Sequence, residues 1–224
     1  MSDAMARSGE TDMRPSRPRA PVGVGIGASA GGPRALLTLL ADLRLPPITF
    51  AFLVQHIHPK FTQILTRRLN EVASIPVVEA KDGAEVQPGR LYLAPSGRHL
   101  GVEHRWPCTY RTCLMDTPPK NGVRPSVDEL FVSLAHAFGP RTVGVVLTGM
   151  GRDGLEGART IKAHGGLVLA EAESTCVIYG MPRALAQAGL ADRLLPIGEM
   201  AAAIRGAAED AADFRSSLPS RGDR

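Results

Sequence analysis

Apolar positions along this chain fall into two alternating patterns. Short, nearly continuous apolar runs stand at Val22 to Ile26, Ile48 to Val54, Thr142 to Leu147 and Leu167 to Ala170. Runs of that kind suit strands of a parallel sheet covered on both faces. Between them apolar residues recur at helical spacing: Leu36, Leu37, Leu39, Leu40 and Leu43 after the first run, then Phe61, Ile64, Leu65, Leu69 and Val72 after the second. Pro33 suits the first position of the first of these helices. Further helices are predicted from Ser126 to about Phe138, Leu155 to Ala163, Met181 to near Gly189 and Pro196 to Ala208. Ser126 and Glu129 have the spacing of a capping box at the start of theirs.

The middle of the chain reads differently. Pro76 to Glu79, Arg90 to Ala94 and His99 to Glu103 are short strand candidates, punctuated by Asp82-Gly83, Pro88-Gly89 and Pro95-Ser96-Gly97. This section has the character of an antiparallel insertion. Residues 104 to 113 carry no readable pattern, and Thr117 to Pro125 is a proline-rich loop. The alternation of strand and helix on either side predicts an α/β domain with a mostly parallel sheet flanked by helices. Residues 1–20 and 210–224 lack apolar periodicity and are expected to be disordered tails around one domain at 21–209.

Composition narrows the function classes. A chain of 224 residues can bury one substantial α/β core. Aromatic residues make up only 4%, too few for a base-stacking platform. Part of the net charge of +4 sits in terminal arginines, so no nucleic-acid partner is expected. Three cysteines without a Cys-x-x-Cys pair suggest neither a disulfide framework nor zinc. No apolar run approaches the length of a membrane span and no signal core opens the chain, which predicts a cytoplasmic protein without membrane insertion.

The candidate chemistry lies where the apolar runs end. Gly27-Ala28-Ser29-Ala30-Gly31 has the G-x-S-x-G spacing of a nucleophile elbow between a strand and a helix, and small neighbours let a serine hydroxyl project from a sharp turn. The same turn has two rival uses. A dinucleotide loop is disfavoured because Ala30 stands where a third glycine belongs and no acidic residue closes the second apolar run. Simple close packing of helix on strand is the other. The second run ends at His56, and the run at 142–147 leads through Thr148-Gly149-Met150-Gly151-Arg152 to Asp153. If strand order runs outward from the first strand in both directions, Ser29, His56 and Asp153 converge on one crevice at the strand ends.

Those three are the parts of nucleophilic acyl transfer: a serine, an imidazole to take its proton, and a carboxylate to orient the imidazole. The order Ser, His, Asp departs from the Ser, Asp, His order of α/β-hydrolases. Backbone amides of Ala30 to Gly32 and of Met150 are placed to stabilise an oxyanion. Each residue has a plainer use: Asp153 as the cap of the helix that follows it, and His56 with His58 as a metal pair, for which no third ligand is evident. His99, His104, His136 and His164 read as structural or surface residues. Arg34, Lys60 and Arg152 lie close to the three turns and suit an acidic substrate.

Taken together, Gly27 to Gly32, Val54-Gln55-His56, Leu91-Tyr92-Leu93-Ala94-Pro95, Pro125 to Phe131, Leu147 to Gly154 and Tyr179-Gly180-Met181-Pro182 resemble the catalytic domain of CheB-type chemotaxis protein-glutamate methylesterases. The resemblance covers about Val22 to Ala208. It implies a doubly wound parallel sheet with an inserted antiparallel hairpin. It assigns Ser29 as nucleophile, His56 as base, Asp153 as the third member of the triad and the Met150 amide to the oxyanion hole. It implies hydrolysis of glutamate γ-methyl esters on chemoreceptors, with methanol released, and in many members deamidation of receptor glutamines. No cofactor and no metal are expected. Ala30 stands where members often carry threonine. Members also carry an N-terminal phosphorylatable receiver domain, whereas only about 20 residues precede the first strand here. A freestanding esterase, a separate response-regulator partner, or a pathway other than chemotaxis is therefore expected. A non-catalytic receptor- or regulator-binding module and an esterase for a small metabolite are the alternative functions.

Overall fold

A computed structural model describes residues 20–107 and 109–213. The chain begins with β1 (Val22–Ala28), α1 (Gly32–Asp42), β2 (Thr49–Gln55), a 3-10 turn at Pro59–Phe61 and α2 (Thr62–Val72). The short strands β3 (Val77–Glu79) and β4 (Leu91–Leu93) precede β5 (His99–Arg105) and β6 (Thr109–Met115). Then come α3 (Val127–Phe138), β7 (Thr142–Val146), α4 (Leu155–Ala163), β8 (Leu167–Glu171), α5 (Met181–Gln187), β9 (Arg193–Leu195) and α6 (Ile197–Asp213).

Seven strands form one sheet in the order β3-β4-β2-β1-β7-β8-β9, and every pairing in it is parallel. β1 is the central strand between β2 and β7; on the β2 side the chain reaches the edge strand β3 before returning to β4, and on the other side it steps outward through β7, β8 and β9. Helices cover both faces, so the strands are apolar on both sides, as the continuous runs predict. On one face α1, α2 and α6 pack through Leu36, Leu39, Leu40, Leu65, Leu69, Met200 and Ile204. Each such fully buried aliphatic side chain contributes about 2 kcal/mol relative to exposure. On the other face α3, α4 and α5 pack through Leu130, Phe131, Leu134, Ile161 and Leu185.

β1 carries glycines at alternate positions on the face that meets α3. A Cβ at Gly25 would lie 2.6 Å from Leu134 Cδ1, and one at Gly23 or Gly27 would collide with Phe138 or Val127. The helix rests directly on the strand backbone. Its N-terminus is thereby set down at the C-terminal end of β1, beside Ser29.

β5 and β6 form a separate antiparallel hairpin with Gly101 opposite Cys113. It closes over α3, where Tyr110 stacks on Phe138 with centroids 4.4 Å apart. The antiparallel insertion expected for the whole middle section is limited to this hairpin, because β3 and β4 pair in parallel within the main sheet, and its second strand occupies a stretch without a readable pattern. The inward positions there are Tyr110, Thr112 and Leu114, so a threonine interrupts the apolar alternation. β9 is also absent from the sequence reading, being three residues long at the sheet edge with two of them exposed.

Two helix ends differ from expectation. α6 runs on to Asp213 rather than stopping near Ala208, and Ala212 O accepts from Ala20 N at 3.2 Å. The capping box at Ser126 does not form. Ser126 makes no side-chain bond to its own helix, and Glu129 instead accepts from Lys120 Nζ at 2.9 Å. Of the expected tails, Ala20 and 210–213 are described, the latter as the end of α6, while 1–19, 214–224 and Cys108 lie outside the described residues.

Candidate active site

The sheet order puts β1 between β2 and β7, so the turns that follow these three strands meet at one edge. Ala28 pairs with Gln55 in the β1–β2 register, and Ser29 and His56 are the next residues along. The ladder continues one step further, with His56 N donating to Ala28 O at 3.0 Å. The Gln55 side chain ties the turns together: Nε2 donates to Ser29 O at 2.8 Å and to His56 O at 3.0 Å. On the other side Ser29 N donates to Thr148 O at 3.0 Å.

The glycine after Thr148 is required by contact. A Cβ on Gly149 would stand 2.7 Å from Ser29 Cβ, so the Met150 turn lies directly against the elbow. The loop before α5 locks that turn: Gly149 N donates to Ile178 O at 3.0 Å, while Thr148 Oγ1 donates to Ala30 O at 2.9 Å and accepts from Ile178 N at 2.9 Å. Ser29 is half-buried, and Met150 is 77% exposed. Among the described residues, Ser29 Oγ and the backbone N–H groups of Ala30 and Met150 donate no hydrogen bond. The Gly32 amide is engaged within the turn, donating to Ser29 O at 2.9 Å, which removes it from the oxyanion set expected above.

His56 is tied to Asp153 by a hydrogen bond of 2.8 Å from Nε2 to Oδ2. An ionised carboxylate only accepts, so Nε2 carries the proton and Nδ1 is the basic nitrogen. Asp153 is 3% exposed and strongly held. Its Oδ2 also accepts from Val127 N at 2.7 Å, and its Oδ1 from Ser126 Oγ at 2.7 Å and Asp128 N at 3.2 Å. Burial alone would raise its pKa, but the hydrogen bonds from His56, Ser126 and the Val127 N–H outweigh burial and hold the carboxyl below its usual range.

Asp153 is thus a helix cap, but not of the helix that follows it. It occupies the N-terminus of α3, where orphan N–H groups and the helix dipole favour a carboxylate. α4 is capped in turn by Asp128, whose Oδ1 accepts from Gly154 N at 2.9 Å and Gly157 N at 2.8 Å. His99, read above only as structural, is fully buried and stands behind this cap, accepting from Ser126 N at 3.1 Å through Nδ1. His58 turns outward and accepts from Lys60 N, away from the His56–Asp153 contact.

The structure therefore brings His56 and Asp153 into contact and sets Ser29, Ala30 and Met150 beside them. It leaves Arg34, Lys60 and Arg152 exposed on the surrounding turns. Gln55, Ser126, Asp128 and Asn121, which also reaches the carboxylates, are site residues that the sequence reading missed or placed elsewhere. A cavity of about 400 Å³ opens next to the elbow between α1 and the loop before α5, lined by Gly31, Arg34, Glu171, Cys176 and Val177 among others. None of Ser29, His56 and Asp153 lines it.

The fold and sequence have counterparts among known proteins. A structure titled as the Thermotoga maritima CheB methylesterase catalytic domain superposes with a TM-score of 0.80 at 38% identity, over 84% of this chain and 98% of that one. A Myxococcus xanthus protein named protein-glutamate methylesterase/protein-glutamine glutaminase 5 is 47% identical over 183 residues, which are 80% of this chain and 51% of the relative. The Desulfitobacterium hafniense protein of the corresponding name is 44% identical over 200 residues, 88% of this chain and 50% of its own length. The chain spans about half the length of these curated relatives. With the family model described as CheB methylesterase matching residues 24–204, the chain belongs to the CheB methylesterase family.

Proposed function

We propose that the protein is a serine esterase that hydrolyses glutamate γ-methyl esters on chemoreceptor-like proteins, and that Ser29, His56 and Asp153 form its triad. The observation that carries this reading is the 2.8 Å bond from His56 Nε2 to a buried, lowered-pKa carboxylate, beside a serine at a strand-to-helix elbow.

The ester carbonyl enters the crevice and Ser29 Oγ attacks its carbon while His56 Nδ1 takes the hydroxyl proton. The resulting imidazolium is stabilised by Asp153, which stays ionised. The amides of Ala30 and Met150, free of other partners, receive the developing oxyanion. Collapse of the tetrahedral adduct expels methanol, protonated by His56, and leaves a glutamyl–Ser29 ester. Water activated by His56 then releases the glutamate. A glutamine amide follows the same course with ammonia as leaving group, which suits the paired activities in the relatives' names. Ser29 Oγ makes no hydrogen bond to His56 among the described residues, which is compatible with this course because such contacts often tighten only in the substrate complex.

The test is methanol release from methylated receptor membranes by wild type and Ser29→Ala. Loss of release in the variant, with its fold intact, is expected. Equal rates would end the reading.

A further inference from the structure

The loop that crosses in front of α3 ends in a two-residue turn with an unusual occupant. Lys120 and Val123 bond each other in both directions at 3.1 and 3.0 Å, and between them Asn121 and Gly122 both have positive φ. Asn121, at φ 53°, is the one non-glycine residue in that region among the described residues. Asparagine is the side chain that tolerates it best. The turn is exposed, yet its amide points inward. Nδ2 donates to Asp128 Oδ2 at 2.8 Å and, over a longer 3.4 Å, to Asp153 Oδ1.

These two carboxylates are 0% and 3% exposed and share one donor. Like charges so placed repel and each favours protonation of the other. The Asp128 carboxyl is raised by burial first, with the neighbouring Asp153 adding to the effect and the Asn121 amide opposing it. The charge of Lys120 also lowers the Asp128 carboxyl, but its ammonium is hydrogen-bonded to Glu129 at 2.9 Å. The ionisable groups facing the turn are thus Asp128, Asp153, Lys120 and Glu129, with His56 beyond Asp153.

We propose that Asn121 is a positioning residue for the His56–Asp153 pair: its amide bridges the Asp128 and Asp153 carboxylates and, with Ser126 and the Val127 N–H, sets the rotation at which Asp153 Oδ2 meets His56. This rests on the serine-esterase reading above. Asn121 touches neither substrate nor reacting atoms. It acts by keeping one carboxylate aimed while the other stays charged.

Asn121→Asp is isosteric and compatible with the left-handed turn, but it exchanges the donor for a third carboxylate. At about pH 8 its kcat should fall about tenfold or more, the rate equivalent of one lost hydrogen bond, with KM within about twofold of wild type. Below about pH 5 the introduced carboxyl takes up a proton and donates again, so the ratio of wild-type to variant rate should narrow. Asn121→Gly keeps the backbone and removes the amide, and its smaller loss should not vary with pH. Ser29 labelling by a fluorophosphonate is followed in the same samples, with thermal unfolding to confirm the fold. An Asn121→Asp rate within about twofold of wild type at every pH, or a deficit equal to that of Asn121→Gly and constant with pH, would overturn the proposal. Wild type that labels but releases no methanol would sink the proposed substrate alone, leaving the labelling rates to decide on Asn121. Wild type that does neither sinks both.

Discussion

Asp128 and Asp153 exchange caps. Asp128 lies in the first turn of α3 and its carboxylate receives the N–H groups that begin α4, while Asp153 lies just before α4 and receives those that begin α3. Neither helix takes a side-chain cap from its own N-cap residue. The two helices are therefore joined at the crevice by charge as well as by apolar packing.

The exchange predicts opposite pH dependences for the two acids. Asp153 has a lowered folded pKa, so its stabilisation is present above the unfolded carboxylate value of about 4 and is lost as pH falls through the folded value. Asp128 has a raised one, so its contribution is full below about pH 4 and is lost as pH rises through the folded value. The stability cost of Asp153→Asn should accordingly be larger at neutral pH than in acid, and that of Asp128→Asn larger in acid than at neutral pH. Denaturant midpoints across the pH range would show the crossing, and parallel profiles would contradict it.

Asp153→Asn should also lower kcat by about 10⁴-fold, because an amide cannot hold the imidazolium or fix its tautomer. Its folded state should survive at a cost of about 1–3 kcal/mol, since an N–H then faces one of the donors now satisfied. Methanol release and fluorophosphonate labelling should fall together.

Gln55→Glu should separate the first two turns. The Gln55 amide donates to the carbonyls of Ser29 and His56, and a carboxylate there would face both oxygens while 2% exposed. A stability loss of about 3 kcal/mol in urea titration is expected, with labelling of Ser29 reduced at least tenfold.

Gly27→Ala should cost about 1–3 kcal/mol by overpacking against Val127, and should lower activity because Val127 also presents its N–H to Asp153. Gly206→Ala is the contrasting control. It stands in α6 with nothing within 4 Å of an added Cβ, and should stabilise by about 0.5–1 kcal/mol.

The parallel sheet was legible because buried strands must be apolar on both faces, whereas the place of β1 at its centre was a supposition from common topology. Ser29, His56 and Asp153 could be singled out because each follows such a run within a short turn. What lay hidden depended on segments meeting across the fold. Ser126 and Glu129 obey the local grammar of a capping box, but a carboxylate 27 residues away in sequence takes the Ser126 hydroxyl at 2.7 Å, and no local pattern can register that competitor. Asn121 lies in a stretch that reads only as a proline-rich loop, and nothing local says where its amide would point. An aspartate in a first turn favours the dipole of its own helix, and no local pattern shows that Asp128 Oδ1 is bound by the N–H groups that begin the next one.

The glycine face of β1 turns α3 into a lever. Phe138 lies over Gly23 at one end of the strand and Val127 over Gly27 at the other, with no side chain between to cushion either contact. A methyl group added under Phe138 would tip the helix and move Val127, Asp128 and the carboxylate they hold, a full helix length away. A change at the end of the sheet remote from Ser29 can therefore retune the chemistry without touching a residue of the crevice.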